Sequence, residues 1–239
     1  MKPAFTLRRV LQLPPKPGNP RNSEGGFVTL RDGRILFVYT RYYGESWDDH
    51  APAELAARIS TDGGRSYLPD ERIIVPNEGR NVMSVSLLRL ADGRIFACFR
   101  TGDGAQYTAR SEDGGEHWSD PVRNEAFPSP AAPLSMKRNP STGELFAVWD
   151  DLSPERKIPR TPESWNRTPL VLARSSDGGK SWHGHIELEN APDHGYCYTA
   201  MHFTGDALLL GYCSGGGTSG VLQTLTLARL EYRSEPGGA

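Results

Sequence analysis

One eight-residue pattern occurs three times, and it constrains the fold more than any other feature of the chain. Ser60-Thr-Asp-Gly-Gly-Arg-Ser-Tyr67, Ser111-Glu-Asp-Gly-Gly-Glu-His-Trp118 and Ser175-Ser-Asp-Gly-Gly-Lys-Ser-Trp182 share Ser-x-Asp-Gly-Gly-x-x-aromatic. Each copy follows a short strand-like run. Repetition with a period of tens of residues is the mark of solenoids, propellers and arrays. Within each copy the Asp is expected to accept hydrogen bonds from the turn's own backbone, while the aromatic buries against a sheet.

The runs between the repeats read as strands. Gly25–Tyr39 holds two β-rich segments around Asp32-Gly33, a hairpin signal because glycine tolerates the positive φ of a tight turn. Ala53–Ile59, the repeat and Glu71–Val75 complete a four-stranded meander. The order recurs with Val82–Leu90, Arg94–Phe99, Gln106–Arg110 and Pro121-Val122, and again with Pro133–Arg138, Glu144–Trp149, Leu170–Arg174 and His185–Leu188. A fourth unit has Tyr196–Phe203, Ala207–Tyr212 and Leu222–Leu230, and it lacks a last strand. Phe5–Leu11 reads as a strand without a local partner, and laid on the fourth unit it would cover an open edge. The expected fold is therefore all-β. Residues 1–239 make a single β-propeller domain of four-stranded antiparallel blades, four by repeat count, closed by the N-terminal strand.

Composition excludes several classes. The 239 residues carry a formal charge of -2, without the basic excess of a nucleic-acid binder. No apolar run approaches the roughly 20 residues that span a bilayer. Pro3 and Arg8-Arg9 interrupt any apolar leader core, so the expected location is cytoplasmic. Cys98, Cys197 and Cys213 are too few for a disulfide framework. Cys197 and Cys213 lie equally far from a turn at Gly205 and could face each other, read as two small buried thiols. His50 and His194 stand near Asp48, Asp49 and Asp193 without a metal-ligand spacing. Gly215-Gly-Gly217 is not followed by Lys and a helix, so a flexible loop suffices for it. No cofactor or metal is expected.

The threefold element at this spacing resembles the Asp-box of the sialidase, or BNR-repeat, superfamily, over about Arg21 to Tyr232. The resemblance implies that the boxes lie on the rim away from the chemistry. The meander order gives the opposite face the longer loops, where binding residues gather on a rigid scaffold. That face is expected to collect Arg21, Asn22, Ser23, Glu24, Arg41, Tyr42, Tyr43, Trp47, Asp48, Asp49, His50, Arg80, Asn81, Arg100 and Asp103. Asp150, Asp151, Asp193, His194, Tyr196, Tyr198 and Tyr212 complete it. Converging arginines suit a carboxylate, whose two oxygens match the guanidinium fork.

Sialidases hold the sugar carboxylate with three arginines, use a Tyr assisted by a Glu as nucleophile, and use an Asp as acid/base. On that likeness Arg21 stands where the family's Arg-Ile-Pro motif begins, although here it reads Arg-Asn-Ser. Arg41 resembles the arginine ending the next strand, Asp48 or Asp49 the acid/base, and Tyr198 the nucleophile. Tyr196, two residues away, shares a strand face with Tyr198 in this reading. Family domains have six blades and this chain has sequence for four, so an arginine and the Glu partner are missing; Glu24 is the candidate substitute. Arg80, Asn81, Arg100 and Tyr212 complete the candidate binding set. The expected function is a sialidase-like exo-glycosidase acting on a terminal acidic sugar of a glycan. The alternatives are a non-catalytic propeller binding carbohydrate or protein, and a homo-oligomer whose ring closes with a second copy.

Overall fold

The computed structural model describes residues 5–76, 81–89, 95–100, 127–130 and 132–232. In chain order the strands are β1 Phe5–Leu13, β2 Asn22–Thr29, β3 Ile35–Tyr42, β4 Ala53–Ser60, β5 Arg72–Val75, β6 Met83–Arg89 and β7 Ile95–Arg100. They continue with β8 Ser135–Arg138, β9 Leu145–Asp150, β10 Leu170–Ser175, β11 His183–Glu189, β12 Cys197–Phe203, β13 Ala207–Cys213 and β14 Leu225–Tyr232. Among the described residues the only helix is a single 3-10 turn, Pro162–Ser164, so none is long and apolar enough to cross a membrane.

Three antiparallel four-stranded sheets run β2-β3-β4-β5, β8-β9-β10-β11 and β12-β13-β14-β1, and β6 pairs with β7. The expected Gln106–Arg110 and Pro121-Val122 strands and the box at 111–118 lie outside the described residues. The fourth sheet takes its outer strand from the opposite end of the chain. β1 pairs with β14 from Phe5↔Tyr232 to Leu13↔Leu225, with one irregularity between Arg9 and Leu11. Arg9 Nε also donates to Glu189 Oε1 of β11 at 2.8 Å, tying the added strand to the neighbouring sheet. Leu222 lies before the strand expected to start there, in a buried turn where the Gln223 amide donates to the Gly220 carbonyl.

Side-chain alternation explains how the sheets stack. On β3, Ile35, Phe37 and Tyr39 join Leu209, Leu225 and Leu227 of the last sheet. The intervening Leu36 and Val38 meet Val82, Val85 and Leu87 on and beside β6. Both faces of β3 are thus covered, which is why it reads as a nearly continuous apolar run rather than as alternation. The Phe37 ring fills space that a Cβ at Gly25 or Gly211 would occupy, at 2.4 and 2.8 Å. The first strands lie side by side: β2 packs against β6 and β12, and β12 against β8.

The two described repeat turns are built alike. The Asp62 Oδ1 accepts the Ser60 hydroxyl at 2.8 Å and the amides of Arg65 and Ser66, both at 2.9 Å. Its Oδ2 accepts the Ser66 hydroxyl at 2.6 Å. Asp177 repeats this with Ser175, Lys180 and Ser181 at 2.7, 3.0 and 3.0 Å, and with the Ser181 hydroxyl at 2.6 Å. Slight burial pushes the Asp62 carboxyl up, but these donors prevail and hold it down at about 2. Gly64, at φ +83°, also lets the turn seat on the last sheet, since a Cβ there would meet Leu209 at 2.6 Å. Asp206 bridges the same two sheets, accepting Arg65 and Arg229 each at 2.6 Å. Tyr67 packs against the apolar cluster shared by the first and last sheets, and Trp182 against that of its own sheet. The two described repeats are structural turns.

Two outcomes are expected. A chain beginning at Pro14 exposes the β14 edge and loses its folded monomer, read as aggregation or a larger mass in light scattering. In Asp62→Asn, thermal stability at pH 7 falls. A carboxyl depressed in the folded state stabilises above its ordinary pKa and loses that effect through its folded one. The gap to wild type therefore closes as pH drops from about 4 to about 2, as pH-dependent melting would reveal.

Candidate functional site

In an antiparallel meander, the starts of first and third strands and the ends of second strands share one end of the sheet. Arg21, immediately before β2, is the deepest charge at that end, with 1% of its surface exposed. Its carbonyl accepts the Tyr42 amide at 3.0 Å, which extends the β2–β3 ladder by one pair. The guanidinium lies over the Tyr42 ring at 4.4 Å. Nη1 donates to Asp49 Oδ1 at 2.7 Å and to the Trp47 carbonyl at 3.1 Å. Nη2 donates to Ser23 Oγ at 3.1 Å and Glu24 Oε1 at 3.5 Å.

The β3–β4 loop is thereby drawn over Arg21. Asn81 braces it from below, donating to the Ala51 carbonyl at 2.6 Å. Asp48 turns its carboxylate to the Ser46 hydroxyl, 3.0 Å away, so of the two adjacent acids it is Asp49 that meets Arg21. Asp49 remains 65% exposed. Glu24 is its opposite: burial raises its pKa against the pull of Arg21, and its Oε2 makes no hydrogen bond.

A second group forms around Arg167, in the loop before β10. Its Nη1 donates to the Cys197 Sγ at 3.2 Å, and the guanidinium carbon is 5.7 Å from the Tyr198 ring and 5.5 Å from the exposed Trp165 ring. Asp150, at the end of β9, is 2% exposed, and its Oδ1 has no hydrogen-bond partner. Burial pushes this carboxyl up to about 8, although Arg167 pulls it down. Two buried free thiols join the groups. Cys197 faces Cys213 across β12–β13, and Cys213 Sγ lies 3.3 Å from Ser23 Oγ, the hydroxyl that also accepts Arg21.

Tyr198 belongs to this set because the backbone breaks its alternation. It sits at φ +55°, where the β12–β13 register shifts between Cys197 and Ala200. Its phenol is half-buried, with a pKa raised first by burial and then by Cys197, and it feels the charge of Glu24. Tyr196 does not share its face. It packs into the apolar core edge-on to Tyr212, its phenol pushed up to about 12 by burial. Tyr212 donates to Glu189 at 2.7 Å inside that core. Both tyrosines therefore leave the candidate set.

Arg41 also leaves it. Asn22 is its register partner while Arg21 pairs with Tyr42, so alternation turns Arg41 to the other face of the sheet. There it is held by Glu54 at 2.6 Å and Glu71 at 2.9 Å. Asp151 is likewise turned away, to Arg156 at 2.9 Å. Arg80 and the Arg100 side chain lie outside the described residues. His194 pairs with Asp193 at 2.7 Å, and no cluster of three or more His, Cys, Asp or Glu among the described residues could hold a metal ion. The loop at Gly215–Gly217 is constrained rather than flexible, since a Cβ at Gly216 would meet the Asp193 carbonyl at 2.3 Å. Arg167 is absent from the sequence reading, which collected the starts of first strands and the ends of second ones. The start of a third strand lies at the same end, and extending the rule to it finds Arg167.

No curated protein sequence matches the chain. A mutant of Trypanosoma rangeli sialidase displaying trans-sialidase activity superposes at TM-score 0.55 and 10% identity, covering 94% of this chain and 58% of that one. A protein of unknown function from Dyadobacter fermentans gives 0.47 and 14% identity over 95% and 99%. The intramolecular trans-sialidase from Ruminococcus gnavus gives 0.35 and 18% over 88% and 43%. The chain thus spans little more than half of the trypanosomal sialidase, with which it shares a fold. A family model described as BNR repeat-like domain matches residues 24–211. With its repeated Asp-Gly-Gly turns and stacked antiparallel sheets, the chain belongs to the BNR repeat-like domain family.

Proposed function

We propose that the chain is a sialidase-like exo-glycosidase on a small four-bladed propeller, removing a terminal acidic sugar from a glycan. The observation that carries this reading is the continuous set Asp49–Arg21–Glu24 and Arg167–Tyr198, joined through Ser23, Cys213 and Cys197. Arg21 and Arg167 hold the sugar carboxylate. Asp49, facing solvent, protonates the leaving oxygen as the glycosidic bond breaks. The Tyr198 oxygen bonds to the anomeric carbon and passes its proton to Glu24, after which water releases the sugar. A phenol is a weak nucleophile without a base, and the buried Glu24, with its raised pKa, is a stronger proton acceptor than an exposed carboxylate. Wild type is expected to turn over a fluorogenic sialoside. Asp49→Asn is expected to lose about 10²–10⁴-fold, the usual worth of a positioned acid, and Tyr198→Phe to fall to background. Equal rates for all three overturn the assignment.

The second reading, a non-catalytic glycan binder, draws on the hydrogen bonding of the resting site. Arg21 is already occupied by Asp49, Glu24, Ser23 and the Trp47 carbonyl, and among the described residues the Tyr198 hydroxyl donates to no base. Binding without hydrolysis on a glycan array supports it. In either reading Arg21→Lys keeps the charge and loses the fork. Affinity for a sialylated glycan then drops about ten- to a hundredfold, matching one charge-assisted hydrogen bond of about 1.5–3 kcal/mol. Unchanged binding counts against a role for Arg21 in either reading.

A further inference from the structure

Cys197 opens β12, Cys213 ends β13, and each is the other's register partner. Directly opposed residues of an antiparallel pair stand about 4.5–5.5 Å apart at Cα, within the roughly 4.4–6.8 Å that a disulfide spans. Both side chains pack in one buried cluster with Val221 and Leu222. Both are free thiols, and a hydrogen bond joins them.

Buried cysteines in apolar surroundings are inert, whereas arginines and other donors bring out the reactive thiolate. Neither sulfur here has purely apolar surroundings. Cys197 Sγ accepts Arg167 Nη1 at 3.2 Å, and Cys213 Sγ lies 3.3 Å from Ser23 Oγ. Burial keeps the Cys197 thiol protonated. The hydrogen bond from Cys197, and after it one from Ser23, favours the thiolate of Cys213 against burial. Arg167 is half-buried and its guanidinium lies 5.5 Å from the exposed Trp165 ring, so the pair is one side chain away from solvent.

We propose that Cys197 and Cys213 form an oxidation site for a small hydroperoxide, closing to a reversible disulfide that changes the setting of Arg21 and Arg167. Cys213 Sγ takes one peroxide oxygen as the O–O bond breaks, giving a sulfenic acid and one water. Cys197 Sγ then bonds to Cys213 Sγ and expels that oxygen, which leaves as a second water with the remaining thiol proton. Two thiols are oxidised to a disulfide and the peroxide is reduced to two waters. An external dithiol restores both thiols by exchange. The disulfide has no S–H, and its sulfurs turn toward each other and away from Arg167 Nη1 and Ser23 Oγ. Ser23 Oγ also accepts Arg21 Nη2 at 3.1 Å, so the change reaches both guanidiniums. The inference goes beyond the glycosidase reading and stands whether the site hydrolyses a sugar or only binds one.

The test is treatment of the full chain with hydrogen peroxide, then iodoacetamide and trypsin. The tryptic peptide Ser181–Arg229 carries Cys197 and Cys213, while Cys98 falls in another. Peroxide is expected to leave Ser181–Arg229 lighter by two hydrogens and unalkylated, and dithiothreitol before the iodoacetamide to restore two alkylated cysteines. Two alkylated cysteines after peroxide, a disulfide to Cys98 or to a second chain, or sulfinic acid in place of the disulfide overturns the proposal. Nitrogen-15 NMR of the arginine side chains, without ligand, reads the second half. The signals of Arg21 and Arg167, assigned through Arg21→Lys and Arg167→Lys, are expected to shift on oxidation and return on reduction. A disulfide that leaves both signals unmoved overturns the coupling to the arginines. Absence of sialoside turnover counts against the glycosidase reading alone, since neither measurement uses a sugar.

Discussion

The backbone ladder between β1 and β14 joins the two ends of the chain, and the rest of the structure depends on it. Without it the last sheet has three strands and an open edge, whose unpaired amides and carbonyls would template pairing with another chain. With it, β13 and β14 present Leu209, Leu225 and Leu227 in a fixed plane to Ile35, Phe37 and Tyr39 of the first sheet. That face carries the fold through Phe37, seated where Gly25 and Gly211 have no side chains. It also positions the site, because β12 and β13 bring Cys197, Tyr198 and Cys213 to Ser23 and Arg21 at the start of β2.

Much of this was legible in the sequence, and most of the failures trace to strand parity. Asp32-Gly33, the Ser-x-Asp-Gly-Gly turns and the apolar runs between them rest on local chemistry, which sequence carries directly. The unpaired N-terminal strand followed from counting strands. Which side chains meet at the end of the sheets depends on strand parity, and parity is lost at a bulge. Tyr196 and Tyr198 share a face by simple alternation, but the irregularity between Cys197 and Ala200 separates them. Arg41 follows alternation faithfully and is for that reason on the wrong side of the sheet from Arg21. Arg167 was missed for another reason: it precedes β10, a third strand, whose start lies at the same end as the starts of first strands and the ends of second ones.

The candidate site joins groups that are costly to bury. Arg21 offsets its burial with two carboxylates, a hydroxyl, a carbonyl and an aromatic face. Glu24 and Asp150 are not so well supplied, and each has an oxygen without a donor. A scaffold selected for stability alone would replace them with apolar side chains of similar volume. In the proposed reading, such groups at the end of the sheets that holds Arg21 and Arg167 suit charge that arrives with a ligand.

Tyr198 carries that logic into the backbone. At φ +55° its Cβ crowds the following carbonyl, a conformation that costs an L-residue roughly 1–2 kcal/mol and glycine almost nothing. Directed evolution for heat resistance alone would therefore favour glycine or asparagine at this position and discard the phenol. A thermostabilised descendant of this protein would keep its sheets and turns while its most distinctive side chain disappeared.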